Sequence, residues 1–276
     1  MKVIDFDGLF DEKLTQYMSE NKEKHTEKQW EDIIPKLYKK FGDTRIAKLG
    51  CTPKEYYARM ESGELVQTLL AHLEQDVPVP EFLCTEIETR GDVNSLLPLL
   101  EKDDEQTVSY AINLIGADSR AFDAYFEILT KNRLNEEIRS DIADILRLYA
   151  DDVKARALEN YRAGVAQTYM LEILSRVKSR DDEVYEGLIE AFRGAEDTSV
   201  FAGYLASYGD ERALPHLLAR IDDRTIGFVE FQELKYAIEA LGGEYDEPRD
   251  FSNDKDYLAI EVATAKQAEG DNGLRS

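Results

Sequence analysis

Apolar residues repeat in one helical pattern five times between residues 108 and 241. Each copy has apolar side chains at positions i, i+3, i+4 and i+7, which lie together on one face of an α-helix. The first members of the sets are 34, 28, 31 and 33 residues apart, and a breaker such as Gly or Asp follows each set. The pattern therefore predicts five amphipathic helices. The sets are Val108, Ala111, Ile112, Ile115; Ile142, Ile145, Leu146, Tyr149; Met170, Ile173, Leu174, Val177; Phe201, Tyr204, Leu205, Tyr208; and Leu234, Ala237, Ile238, Leu241.

A second apolar stretch precedes each of these helices, so every period contains two helices. These stretches lie at residues 93–100, 122–129, 153–161, 184–192 and 213–221. A lone helical hairpin leaves one apolar face bare, so neighbouring hairpins must stack to bury it. A period of about 30 residues with two helices is typical of an alpha-solenoid. The predicted fold class is all-α, an alpha-alpha superhelix.

The last complete hairpin, at residues 204–242, also resembles a known family. Residues 210–218 read Asp-Glu-Arg-Ala-Leu-Pro-His-Leu-Leu, and residues 237–242 read Ala-Ile-Glu-Ala-Leu-Gly. This is similar to the HEAT-like repeat of the phycobilin-lyase type, and residues 118–121 are a fainter copy of its opening. The resemblance covers about residues 92–243. It implies HEAT-like hairpins, which occur in scaffolds, lyase chaperones and some DNA glycosylases.

The flanking segments complete the predicted organisation. Residues 1–63 are expected to be an N-terminal helical cap on the solenoid or, alternatively, a small independent module. Capping boxes begin two of its helices, at Thr26 with Gln29 and at Thr52 with Glu55. Residues 64–243 form the solenoid, with a degenerate first repeat at 64–91. Residues 244–276 are an acidic segment with a short capping helix and a frayed tail beyond Gln267.

The N-terminus contains a motif that is similar to a phosphatase signature. Residues 3–9 read Val-Ile-Asp-Phe-Asp-Gly-Leu, which resembles the Asp-x-Asp-Gly motif of haloacid-dehalogenase phosphatases. That family has Thr where this chain has Leu9, and no alternation of strands and helices follows. The preferred interpretation of Asp5 is therefore a helix cap or a loop residue.

Charge and composition narrow the classes of partner. The net charge is −23, from 34 Lys and Arg against 57 Asp and Glu. Nucleic acids and anionic membranes favour basic surfaces, so neither is expected as a partner. The acidic surface either keeps the protein soluble or attracts a basic protein partner.

No apolar run is long enough for a signal peptide or a membrane span, which predicts a cytoplasmic location. Cys51 and Cys84 lack a metal-binding spacing, and no metal or other cofactor is expected.

In HEAT-type solenoids the second helix of each hairpin lines the concave face, so candidate binding residues are those outside the apolar register of these helices. Tyrosine offers amphipathic contact area, and carboxylates attract basic groups. Arg147 would bind a carboxylate of the partner or pair internally with Asp144. Alternatively, all of these are ordinary solvated positions. The predicted partner-binding residues are Tyr110, Asn113, Asp144, Arg147, Glu172, Tyr236 and Glu239.

These features favour a non-enzymatic interaction scaffold that binds a basic or amphipathic protein or peptide in the concave groove. The alternative is an enzyme on a HEAT-like frame, of the DNA-glycosylase or chromophore-lyase type. A glycosylase needs a basic groove for its duplex, which the net charge of −23 disfavours. The sequence also lacks a nucleophile motif, a phosphate-binding loop and a metal triad, so no catalytic residue is assigned.

Overall fold

The computed structural model describes residues 2–22 and 24–273, with side chains as far as residue 264. Within these residues the secondary structure is entirely helical, apart from one isolated β-bridge between Ile46 and Cys51. The all-α prediction is confirmed. The chain divides into two compact units, Met1–Arg139 and Ser140–Ser276. This division lies inside the predicted repeat region, and the boundaries expected after residues 63 and 243 stay predictions.

The described part of the first unit contains eight complete helices, two 3-10 turns and the start of a ninth helix. The helices are α1 (Phe6–Asn21), α2 (Glu27–Gly42), α3 (Pro53–Ala58), α4 (Ser62–Glu74), α5 (Glu81–Arg90), α6 (Val93–Leu96), α7 (Glu105–Ile115) and α8 (Phe122–Thr130). The 3-10 turns are Leu97–Glu101 and Ser119–Ala121. The ninth helix, α9 (Glu136–Arg147), continues into the second unit.

The second unit contains most of α9 and seven further helices. These are α10 (Ala150–Arg162), α11 (Gln167–Leu174), α12 (Asp182–Gly194), α13 (Ser199–Tyr208), α14 (Leu214–Ile221), α15 (Phe228–Ala240) and α16 (Lys255–Gly273). A 3-10 turn, Glu211–Ala213, leads into α14. Three hairpins pair α10 with α11, α12 with α13 and α14 with α15, and α13 also packs against both α11 and α15.

Local capping signals set the starts of the N-terminal helices. Both predicted capping boxes are present: Thr26 accepts from the backbone of Gln29, and Thr52 accepts from that of Glu55. The side chain of Asp5 caps α1 by accepting a hydrogen bond from the Gly8 amide at 2.7 Å. The phosphatase-like motif therefore forms a helix N-terminus, as the preferred interpretation states.

Aromatic side chains form the core around α1–α3 in the first unit. Phe6 and Tyr57 are fully buried, and their rings meet edge to face at 5.6 Å. From the next segment, Phe82 on α5 packs against Phe41 at 6.3 Å. Residues 1–63 consequently share buried surface with α5, and α3 packs directly on this helix.

The apolar sets predicted from sequence are mostly buried. All members of the sets that begin at Val108, Met170 and Leu234 are buried. Tyr149 is a correction, because the apolar register places it in the core and its side chain is 39% exposed. The reason is that α9 ends at Arg147, so Tyr149 no longer follows the helical face and instead precedes α10. Phe201, Tyr204 and Tyr208 are intermediate in burial.

Within each unit, arginine side chains donate hydrogen bonds to backbone carbonyls near the ends of earlier helices. Arg133, just after α8, donates to the carbonyls of Glu101 and Lys102 at 3.0 and 2.7 Å. Arg220 on α14 donates to the carbonyl of Glu196, just after α12, at 2.8 Å. Arg249 in turn donates to carbonyls at the end of α14. Each guanidinium satisfies carbonyls that a helix terminus leaves without an intrahelical partner.

The segment after α15 packs back onto that helix. Phe231 on α15 contacts the rings of Tyr245 and Phe251 at 6.0 and 5.1 Å, and the Arg249 guanidinium lies over Phe231 at 4.9 Å. The helix that follows, α16, is longer than the short helix expected from sequence. Frequent alanine between residues 259 and 268 favours this extension, because alanine has the highest helix propensity.

Replacing a fully buried member of the apolar sets tests the packing of the second unit. Leu234→Ala should lower the free energy of unfolding by about 2–5 kcal/mol, because it removes buried methyl groups and leaves a cavity. Leu148→Ala is the matched control, since Leu148 is 75% exposed and should change stability by less than about 0.5 kcal/mol. Urea unfolding followed by circular dichroism measures both. Equal effects would contradict the assigned packing.

Replacing Arg133 tests how much its hydrogen bonds to the two carbonyls stabilise the first unit. Arg133→Met should destabilise the chain by about 1–3 kcal/mol, because two carbonyls lose a charged donor. Arg59→Met is the control, since the ion pair of Arg59 among the described residues is an exposed one with Glu55 at 3.9 Å. Chemical denaturation of both variants gives the comparison. A loss at Arg59 as large as that at Arg133 would refute the role of the carbonyl contacts.

Candidate functional site

A groove of about 390 Å³ lies in the second unit, where the second helices of the hairpins adjoin. The helices α9, α11, α13 and α15 all contribute to its lining. These are the helices that the sequence predicts to carry a binding face. The lining residues are Arg147, Glu172, Ser175, Arg176, Ser199, Val200, Gly203, Tyr204, Ser207, Val229 and Glu233.

Helix α13 contributes more residues to the groove lining than any other helix. Val200, Gly203, Tyr204 and Ser207 follow the spacing i, i+3, i+4 and i+7, so they share one helical face. Val200 is 57% exposed, which is high for a branched apolar side chain. A Cβ atom placed on Gly203 would meet no heavy atom within 4 Å, so the absence of a side chain there leaves space above the helix. This face thus presents exposed apolar surface.

Helix α15 extends that surface. Val229 and Glu233 line the groove one turn apart, and Tyr236 follows on the same face at i+7 from Val229. Val229 is 43% exposed and Tyr236 is 64% exposed. An exposed tyrosine beside exposed valines gives both apolar contact and a free hydroxyl. The two helices together therefore present an amphipathic surface.

Charged side chains from α9 and α11 also line the groove. Arg147 on α9 makes ion pairs with Asp144 at 2.9 Å and with Glu172 on α11 at 3.2 Å. The internal pairing of Arg147 with Asp144, which the sequence left as an alternative, is present. The guanidinium is therefore already occupied by two carboxylates. This pairing holds the Glu172 carboxylate in position.

Glu172 is the titratable group that this environment perturbs. Burial raises the pKa of its carboxyl because the charged form loses solvation, and the negative charge of Asp144 raises it further. The cation of Arg147 lowers the pKa and offsets part of this rise. A partly buried carboxylate that already has a desolvation penalty gains more from an additional cation than an exposed one does.

The structure places the seven predicted residues in different settings. Arg147 and Glu172 line the groove, and Asp144 joins them through its ion pair. Tyr236 extends the groove surface along α15, whereas Glu239 is exposed and pairs with Lys235 at 3.9 Å. The remaining two, Tyr110 and Asn113, lie on α7 in the first unit.

Tyr110 and Asn113 differ in their surroundings within the first unit. The ring of Tyr110 is half-buried, and burial raises the pKa of its hydroxyl. Asn113 is exposed on α7. The groove of the second unit does not include either residue.

Sequence reasoning missed several residues that line the groove, including Val200, Val229, Arg176 and Glu233. A signal for the valines is present in the sequence. Val200 and Val229 are apolar but lie outside the i, i+3, i+4, i+7 sets, and each is the second residue of its helix. An apolar residue off the core register is a candidate for exposed contact surface. Arg176 and Glu233 carry no comparable signal, because charged residues outside the core register are common.

The described part of the chain contains no group of three or more His, Cys, Asp or Glu side chains arranged to hold a metal ion. None of its helices combines the length and apolar character needed to cross a bilayer. His216 contacts the guanidinium of Arg193 at 3.0 Å, and burial together with this cation lowers the pKa of the imidazole.

Comparison with known proteins adds no relative: no family model, no curated protein and no solved structure matches this chain. The geometry of the described residues is therefore the basis for any assignment of function.

The ion pair between Arg147 and Glu172 leads to a prediction about the pKa of Glu172. Arg147→Met should raise the pKa of Glu172 further, because it removes the nearby cation that lowers it. The folded-state pKa of Glu172 already exceeds its ordinary value, so its stabilising contribution is largest below the unfolded-state pKa and declines as pH rises through the folded-state pKa. In Arg147→Met the folded-state pKa is higher, so this decline should extend to higher pH.

Carbon-13 NMR of the side-chain carboxyls, with Glu172→Gln to assign the signal, gives the pKa directly. Lys235→Met is the control, because Lys235 pairs with Glu239 outside the groove and its loss should leave Glu172 unchanged. An unchanged or lowered pKa of Glu172 in Arg147→Met would show that the ion pair does not control this carboxyl.

Proposed function

We propose that this chain is a non-enzymatic interaction protein whose second unit binds a short amphipathic, basic peptide segment of a partner protein. One observation carries the proposal. The exposed apolar side chains Val200, Val229 and Tyr236 lie beside the carboxylates Glu172 and Glu233 on adjoining second helices. Apolar and acidic groups on one surface complement a segment that carries both apolar and basic side chains.

The arrangement of helices sets the length of the segment. Neighbouring packed helices lie about 8–10 Å apart, so the surface from α11 across α13 to α15 spans about 16–20 Å. An extended chain covers about 3.3 Å per residue, so about five or six residues cross the groove. The apolar side chains of the segment lie over Gly203 between the valines, and its basic side chains meet Glu172 and Glu233.

The HEAT-like resemblance of residues 92–243 supports this proposal, because repeats of that type commonly act as scaffolds that bind through their second helices. A superhelical solenoid and a cytoplasmic location are part of the same proposal. The net charge of −23 favours a basic partner over nucleic acid.

Peptide selection tests the proposal without a known partner. A library of random 12-residue peptides displayed on phage is selected on the immobilised full chain, and enriched peptides are synthesised with a fluorescent label. Fluorescence anisotropy then gives the dissociation constant for each variant. We expect enrichment of peptides that combine Lys or Arg with large apolar residues.

Two groove variants should weaken the binding of such a peptide about tenfold or more. Val200→Asn removes apolar contact at the groove, and Gly203→Leu fills the space above α13. Each has a matched control. Val262→Asn changes a valine on α16 that is 55% exposed, and Gly194→Leu changes a helical glycine that also has open space around it.

The controls should bind within about twofold of the unaltered chain, since both lie outside the groove. Equal binding by Val200→Asn and Val262→Asn would contradict the proposed site. Selection of acidic peptides would contradict the proposed charge of the partner. Thermal unfolding of each variant separates lost binding from lost folding.

A further inference from the structure

The carboxylate of Glu172, in the groove of the second unit, uses only one of its oxygens for a hydrogen bond within the described part of the chain. Its Oε1 accepts from Nη1 of Arg147 at 3.2 Å, whereas Oε2 accepts from none of the described residues. The Glu172 side chain is 17% exposed, so solvent reaches it only in part. A donor from a bound partner can therefore take the second oxygen.

The charges around Glu172 favour a further cation. Burial raises the pKa of its carboxyl even though Arg147 and Arg176 both lower it, so the two arginines do not make up for the lost solvation. Arg147 also pairs with Asp144, and Arg176 lines the groove without an ion pair to Glu172 among the described residues. Glu233 adds another negative charge to the lining. A cation at the free oxygen of Glu172 is thus stabilised.

The hydroxyl of Tyr204 provides a second acceptor in the same part of the groove. Tyr204 lines the groove together with Glu172 and Arg147. Burial and the negative charge of Glu172 raise the pKa of the hydroxyl to about 12, so it stays neutral near pH 7. This hydroxyl makes no hydrogen bond to any described residue, and its lone pairs are able to accept one.

The occupied Oε1 atom disfavours an arginine of the partner. A guanidinium binds a carboxylate best through two parallel hydrogen bonds, one to each oxygen. Such a fork would bring a second guanidinium against Oε1 of Glu172, where Nη1 of Arg147 already lies, so two like charges would meet. An ammonium is compact and has three donors, so it can use Oε2 and the hydroxyl of Tyr204 and leave Oε1 to Arg147.

The position of Glu172 in the groove favours the same side chain. A lysine has a slender apolar stem that can lie along the ring of Tyr204 while its ammonium reaches a half-buried carboxylate. Glu233 differs, because it is exposed on α15 and has no ion pair among the described residues. Both of its oxygens are open, so it is expected to accept lysine and arginine alike.

We propose that Glu172 and Tyr204 form a lysine-selective subsite of the groove. The ammonium of one partner lysine donates to Oε2 of Glu172 and to the hydroxyl of Tyr204, while Arg147 keeps Oε1. This inference rests on the peptide-binding function proposed above and specifies which basic residue the partner carries at that point. Glu233 contributes charge without this selectivity.

The test compares two forms of one peptide. The most strongly enriched peptide of the phage selection is synthesised with a fluorescent label and with every basic residue as lysine or every basic residue as arginine. Anisotropy titrations of the full chain are made at about pH 8, where glutamate side chains are ionised. The lysine form should bind about fivefold or more tightly than the arginine form, because only the ammonium fits the single free oxygen of Glu172.

Variants of the chain locate this preference. Glu172→Gln should weaken the lysine form about tenfold and bring the two forms within about twofold of each other. Arg147→Met should also reduce the preference to about twofold or less, because it frees Oε1 for a guanidinium fork. Glu190→Gln is the matched control, since Glu190 is exposed on α12 outside the lining and its loss should leave the preference unchanged.

The role of the hydroxyl is tested by Tyr204→Phe, which keeps the ring and removes one acceptor. It should weaken the lysine form about threefold and the arginine form less. Thermal unfolding of every variant separates lost selectivity from lost folding.

Three results would overturn the subsite. The first is equal or tighter binding of the arginine form to the unaltered chain, which would leave the peptide groove itself in place. The second is a lysine preference that survives in Glu172→Gln, because it would then arise elsewhere. The third is a preference that Arg147→Met leaves as large as before. Failure of both peptide forms to bind would reject the peptide-binding function as well, so the two claims fail in different ways.

Discussion

The structure depends on burial of apolar helix faces against neighbouring helices in each unit. No single hairpin can cover both of its own faces, so α11 and α13 remain stable only while adjacent helices cover them. A buried leucine or isoleucine contributes about 1.5–3 kcal/mol, and the sets at Met170 and Leu234 are wholly buried. Arginine contacts to helix ends add to this packing, as when Arg220 on α14 donates to the carbonyl of Glu196 after α12.

This constraint also determines which residues are available for function. Once the i, i+3, i+4, i+7 faces are buried, the free faces of the second helices adjoin one another and form the groove that includes Val200 and Val229. In the first unit, α2 and α5 leave a short aromatic cleft around Tyr38 and Phe82. The two cavities differ in chemistry because the groove is lined by the free faces of the second helices and the cleft by aromatic side chains from separate segments.

The sequence predicts those features that depend on local pattern. The capping boxes at Thr26 and Thr52 involve residues three positions apart, and the apolar sets lie within single helices, so both were predictable. The hydrogen bonds of Arg133 join residues about 30 positions apart, and no sequence pattern specifies them. Of the site, Arg147 and Glu172 follow from the helical register, whereas the aromatic cleft needs three separate segments to meet, which only the fold determines.

The central claim is that stacked hairpins are stable only together, and native-state hydrogen exchange in the second unit tests it most directly. Amide exchange is measured for buried positions on α11 and α13, such as Leu174 and Leu205, in increasing urea. If each hairpin depends on its neighbour, the opening free energies on the two helices should be equal and should fall with the same urea dependence. Exchange on α13 at a much lower free energy, while α11 stays protected, would contradict this account.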